Sequence, residues 1–154
     1  GENQVWFEVG NIAFYSRLLG GNYPDTDRLI PTESTTSVEF ELPVLARSLE
    51  RASLLTHESR NNVVKMTLDV QNQLVKLQGD SPEIGNVEEE IGFKNLEGDG
   101  LTISFNPDYL REALRASITD SIIMSFTQPL RPFTVIPAKQ DVNFTQLITP
   151  VRTF

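Results

Sequence analysis

The side chains best placed to do chemistry are cations spaced for helices. Arg47 and Arg51 stand four residues apart in one apolar-periodic stretch, and Arg111 and Arg115 repeat that spacing in another. On a helix such pairs share a face, one turn apart. Leu42, Leu45, Leu49 and Ala52 set the buried side of the first stretch, and at ~100° per residue its arginines point roughly 160° away. Leu110, Ala113, Leu114 and Ser117 face inward in the second, with its arginines roughly 130° off. These four belong to the 13 bases of a chain with 21 acids and net charge −8. Against them stand the helix acids Glu50, Asp108 and Glu112. The local reversal of sign suits the phosphates of a polyanion, bound in a salt-dependent way that ignores sequence. It equally suits a solvated helix face, because arginine is a good helix former.

Other chemistries find little support. The 154 residues include no cysteine, which excludes disulfides and thiolate metal sites. A single histidine, His57, rules out catalysis by a histidine pair and metal clusters built on several histidines, and its place just past a helix end suits a surface loop. No phosphate-binding loop, nucleophile elbow or H-E-x-x-H pattern occurs. Asp25 and Asp27 could form a carboxylate pair, but beside Pro24 they suit loop-fixing bonds to the backbone better. The expectation is a non-enzyme with no cofactor. No apolar run approaches a membrane span and no signal peptide opens the chain, so a cytoplasmic protein is expected.

These arginines need elements to hold them. The share of hydrophobic residues, 39%, is enough for one core and about one domain. Residues 4–9 and 12–16 read as a hairpin around Gly10-Asn11. A Gly- and Pro-rich stretch from Gly20 to Pro31 then marks a boundary, dividing 1–31 from 32–154. Beyond it the pattern runs twice through strand, helix and three strands. The first unit predicts strands at 37–41, 62–70, 73–79 and 87–95 with a helix at 43–55. The second predicts strands at 100–105, 121–127, 133–137 and 144–148 with a helix at 107–118. Both helices open near a proline, where its missing N–H costs nothing. The fold class is therefore α+β, with two helices packed on antiparallel sheets. Alternation puts Val87, Glu89, Ile91 and Phe93 on one face, and a charge among apolar neighbours suits an edge strand guarded against wrong pairing.

One stretch is more specific than any pattern: Tyr15-Ser16-Arg17-Leu18-Leu19-Gly20-Gly21-Asn22-Tyr23-Pro24-Asp25-Thr26-Asp27-Arg28-Leu29-Ile30-Pro31. With Arg60-Asn61-Asn62-Val63-Val64, Phe105-Asn106-Pro107-Asp108-Tyr109-Leu110, Pro129-Leu130-Arg131-Pro132-Phe133 and Ile148-Thr149-Pro150-Val151-Arg152-Thr153-Phe154, it closely resembles the bacterial DNA polymerase III beta subunit, the sliding-clamp family. The resemblance covers essentially the whole chain. It implies the clamp fold, with 32–154 as the C-terminal third domain and 1–31 as the last hairpin and linker of the second. In that family two subunits close head to tail into a ring on duplex DNA, a processivity factor for the replicative polymerase.

The resemblance assigns three surfaces. Arg47, Arg51, Arg111 and Arg115 would face DNA. A peptide pocket would take short hydrophobic motifs of polymerases, clamp loader, ligase and repair proteins. Its matching positions are Pro24, Arg28 and Leu29, then Asn106 and Tyr109, Leu130 and Pro132, and Leu147 with Thr149, Pro150, Val151 and Arg152. Thr149 departs from the family, where a bulky apolar residue is common, and would widen or polarise one wall. Leu54, Leu55 and the run Glu88, Glu89 and Glu90 would meet the first domain of a neighbouring subunit. Without that domain the chain is expected to be a monomer or only a weak dimer, and removing 150–154 to leave the fold largely intact. From the residues alone, a peptide-binding adaptor without a DNA role stays open, as does a small hydrolase built on the Asp25 loop.

Overall fold

The computed structural model describes residues 3–56, 62–139 and 144–153. His57, Arg60, Asn61 and Phe154 lie outside the described residues. The opening hairpin pairs β1 (Gln4–Val9) with β2 (Ile12–Arg17), and Gly10 supplies the positive φ of +62° that its tight turn demands. Both faces of the hairpin are open: Trp6, Phe7, Phe14 and Tyr15 are all exposed.

Beyond the hairpin, a 3-10 turn at Thr26–Arg28 precedes two sheets and two α-helices among the described residues. The elements are β3 (Thr36–Glu41), α1 (Leu42–Thr56), β4 (Val64–Asp69), β5 (Leu74–Ser81), β6 (Gly85–Glu90) and β7 (Asn95–Gly98), then β8 (Leu101–Phe105), α2 (Pro107–Ala116), β9 (Ser121–Phe126), β10 (Phe133–Pro137) and β11 (Gln146–Ile148). One sheet runs β11-β10-β9-β3-β7 and the other β6-β5-β4-β8, with every pairing antiparallel. The expected duplication is present as a reciprocal exchange. The first strand of each unit, β3 or β8, joins the second strand of the other unit, β9 or β4.

The single strand expected over 87–95 is instead two. β6 pairs with β5, and the chain then crosses to lay β7 on the outer edge of β3 in the other sheet. Alternation of apolar residues could not reveal this, because Ile91 and Phe93 stay on the core side through the crossing. The second unit repeats the move in miniature. After β11 the tail returns to the free edge of β8, where Phe105 bridges Pro150 and the Val151 N–H donates to the Ser104 carbonyl at 2.7 Å. The helix expected over 107–118 ends two residues early. Ser117 adopts an extended conformation, its N–H and hydroxyl both turned back to the Ala113 carbonyl, and Ile118 is left exposed.

The core lies between the sheets and helices. Phe40, Phe105, Phe126 and Phe133 are fully buried, and Phe133 meets Phe105 at 5.4 Å and Phe126 at 5.0 Å between ring centroids. Full burial of such a side chain is worth about 1.5–3 kcal/mol. α1 rests on β5 so closely that a Cβ at Gly79 would come within 2.5 Å of the Ala52 carbonyl oxygen. Glycine is needed at that crossing to let helix and strand approach.

Candidate nucleic-acid and peptide interfaces

The predicted helix stripes are the buried faces. Leu45, Leu49 and Ala52 of α1 and Leu110, Ala113 and Leu114 of α2 are all within the core, and the helices pack against each other. The arginines therefore lie on the outward sides of two neighbouring helices, but they are not equivalent. Arg47 and Arg115 are exposed and have no carboxylate partner among the described residues. Arg111 is half-buried and paired with Asp108 one turn before it. Arg51 is paired with Glu89 of β6, its Nε donating to Oε2 at 2.9 Å and its Nη2 to Oε1.

The period of two in β6 explains that pair. Glu88 and Glu90 face away from the core, and Glu88 accepts from Lys76 Nζ at 2.6 Å and from Gln78. Glu89, between them and opposite Leu77, turns toward α1, where the buried Ser48 hydroxyl also donates to it at 2.8 Å. Arg51 holds the Glu89 carboxyl below the usual range against the opposing effect of desolvation. Lys76, then Gln78, lower Glu88 in the same sense. β6 is an edge strand of its sheet. Leu54, near the end of α1, is 68% exposed, while Leu55 is half-buried.

The residues expected to line a peptide pocket divide into two groups. Pairing of Phe133 with Ile148 sets Pro132 beside Thr149, and the bridge from Phe105 to Pro150 sets the tail beside Asn106. Leu147, Pro132, Asn106 and the tail are thus gathered by sheet register at the start of α2, above the Phe105–Phe133 contact. Tyr109 and Leu130 are 54% and 57% exposed, a degree of exposure that leaves aromatic and aliphatic surface for a ligand. Asn106 caps α2 by accepting from the Asp108 N–H at 2.8 Å, so its oxygen is committed to the helix. Pro24, Arg28 and Leu29 behave differently. They are exposed, and the linker's bonds are local: Arg28 to Asp25 at 2.9 Å and the Leu29 N–H to the Thr26 carbonyl.

Asn62, read as the first residue of a strand and as part of the family-like Arg60–Val64 stretch, lies outside β4 and has a role the sequence did not assign. It sits at a φ of +36°, accepts from the Thr56 hydroxyl at 3.1 Å, and donates to Asp108 at 2.7 Å. It thereby ties the end of α1 to the start of α2. Asparagine is among the few residues that adopt this conformation readily, and that was the available signal. Among the described residues no group of three or more His, Asp or Glu could hold a metal ion, and no helix is long and apolar enough to cross a membrane.

Residues 27–152 match the family model for the DNA polymerase III beta subunit, C-terminal domain. The chain belongs to this family. The beta sliding clamp of Streptococcus pneumoniae TIGR4 is 49% identical over 151 residues, and that of Staphylococcus aureus 43% over 152. Each match takes in 98–99% of this chain and 39–40% of the relative. Among solved structures, the DNA polymerase III beta chain of S. pneumoniae superposes with a TM-score of 0.90 at 48% identity, over 99% of this chain and 40% of that one. The sliding clamp of Bacillus subtilis gives 0.87 at 43%, over 100% and 40%. The chain thus spans about two fifths of these beta subunits, and it shares their α+β clamp fold.

Proposed function

We propose that this chain acts within a sliding clamp, a non-catalytic subunit of DNA polymerase III holoenzyme that confers processivity. In this reading 32–154 is the C-terminal clamp domain, and 1–31 is the last hairpin and linker of the domain before it. The full subunit forms a head-to-tail dimeric ring around duplex DNA in the cytoplasm. The observation that carries the reading is the pair of adjacent helices with arginines outward, backed by two sheets, in a chain of this family. Arg47, Arg51, Arg111 and Arg115 face phosphates, and their long flexible side chains suit contact that must not lock a base sequence.

Two further surfaces complete the reading. Peptide motifs of polymerases, clamp loader, ligase and repair proteins dock beside Asn106, Tyr109, Leu130, Pro132, Leu147 and 149–152, with Pro24, Arg28 and Leu29 closing over them. Burial of two apolar anchors at about 1.5–3 kcal/mol each, set against association costs, supports micromolar binding at best. Leu54, Leu55, Glu88, Glu89 and Glu90 form the side that meets a neighbouring subunit. Chemical-shift mapping tests the assignment. Duplex DNA should perturb the outward residues of α1 and α2, and a peptide with a polar residue followed by Leu and Phe should perturb Tyr109 and the tail. Peptide shifts with a DNA-silent helix face would favour the adaptor reading instead.

A further inference from the structure

Among the described residues, each helix carries one arginine without a carboxylate partner and one neutralised by the protein itself. We infer that Glu89 is a competitor built into the fold, withholding Arg51 from nucleic-acid phosphates and so limiting how strongly the helix face holds DNA. The inference rests on the DNA-facing reading above.

Three features of the geometry carry it. The Arg51 side chain is 55% exposed, so a phosphate can reach it, yet two of its nitrogens already donate to one carboxylate. Two parallel bonds of this kind are the strongest arrangement an arginine makes with a carboxylate. Glu89 is itself held in place: its strand registers it opposite Leu77, only 20% of its side chain is exposed, and the Ser48 hydroxyl fixes Oε1. The Arg51 Nη2 also lies 3.2 Å from that hydroxyl, so three groups form one closed set. A phosphate approaching Arg51 therefore meets an ion pair of zero net charge, and must displace Glu89 to gain a full contact. Glu89 stands on the same edge strand as Glu88 and Glu90, so the surface proposed to meet a neighbouring subunit and the arginine proposed to meet DNA share one carboxylate.

Salt dependence is the direct readout, because each phosphate neutralised adds about 0.9 to the slope of log K against log salt. Binding of the 154-residue chain to a fluorescent mixed-sequence duplex would be followed by anisotropy across a salt series. Glu89→Gln removes the charge while keeping hydrogen-bonding atoms, and Glu89→Ala removes the partner, with thermal unfolding confirming that each is folded. Both should tighten binding at low salt and steepen the slope by up to about one contact's worth. Adding Arg51→Ala to Glu89→Gln should cancel the steepening, because the gain comes from the freed guanidinium. Folded Glu89 variants with an unchanged slope, alongside a reduced slope in Arg47→Ala/Arg115→Ala, would overturn the inference and leave the DNA reading standing. No change in any of these variants would overturn both.

Discussion

At the scale of single residues, the pairing of Glu89 with Arg51 shows how a charge is tolerated on the core side of an edge strand. Its carboxyl is depressed below the ordinary glutamate value of 4.5, chiefly by the Arg51 hydrogen bonds. The charged form is thus favoured in the folded chain. Its contribution to stability is complete above the unfolded value and is lost as pH falls through the lower folded one. Urea unfolding of wild type and Glu89→Gln should therefore differ most near neutral pH, with the difference shrinking as pH falls below the ordinary glutamate value and through the lower folded one. A constant offset across that range would mean that the pair adds nothing through its charge. The odd placement of Glu89 was legible in the alternation of residues 87 to 93, but its partner was not. Arg51 is 38 residues away in sequence, and only the packing of α1 on β6 brings it there.

At the scale of elements, the start of α2 is where helix, tail and sheet meet. Asn106 closes the first turn, and Asn62 and Asp108 tie it to α1. Replacing Asn106 by Ala should cost about 1 kcal/mol in chemical denaturation, the usual worth of such a cap. The tail has a second task beside its proposed place in the peptide pocket. Since Pro150 and Val151 extend the edge of β8, removal of 150–154 should leave a folded domain weakened by about 1–2 kcal/mol, because it loses a backbone bond and half-buried apolar cover. Peptide binding should disappear in the same variant. An undiminished peptide affinity would remove the tail from the pocket. Helices and most strands were readable because each carries one period over enough residues. β7 and the tail bridge were not, since both are short edge pairings fixed by where the chain crosses between sheets. The gathering of Leu147, Pro132 and Asn106 likewise depends on register, which no local pattern encodes.

At the scale of the whole molecule, two open surfaces stand out: the hairpin with its exposed aromatic residues, and the side bearing Leu54 and β6. An isolated two-stranded hairpin is marginal in water, so β1 and β2 should exchange amide hydrogens far faster than the sheets of 36–148. In the proposed ring the Leu54 side meets a different domain of a neighbouring subunit rather than a second copy of residues 32–154. Sedimentation should find a monomer at micromolar concentration, and a tight dimer there would contradict the interface proposed. The claim on which the rest depends is that the outward faces of α1 and α2 meet DNA phosphates. Its most direct test is the salt dependence of duplex binding by the chain with Arg47, Arg51, Arg111 and Arg115 all replaced by Ala. Weak wild-type binding should be abolished and its salt slope flattened, whereas binding with an unchanged slope would place the DNA contact on another face.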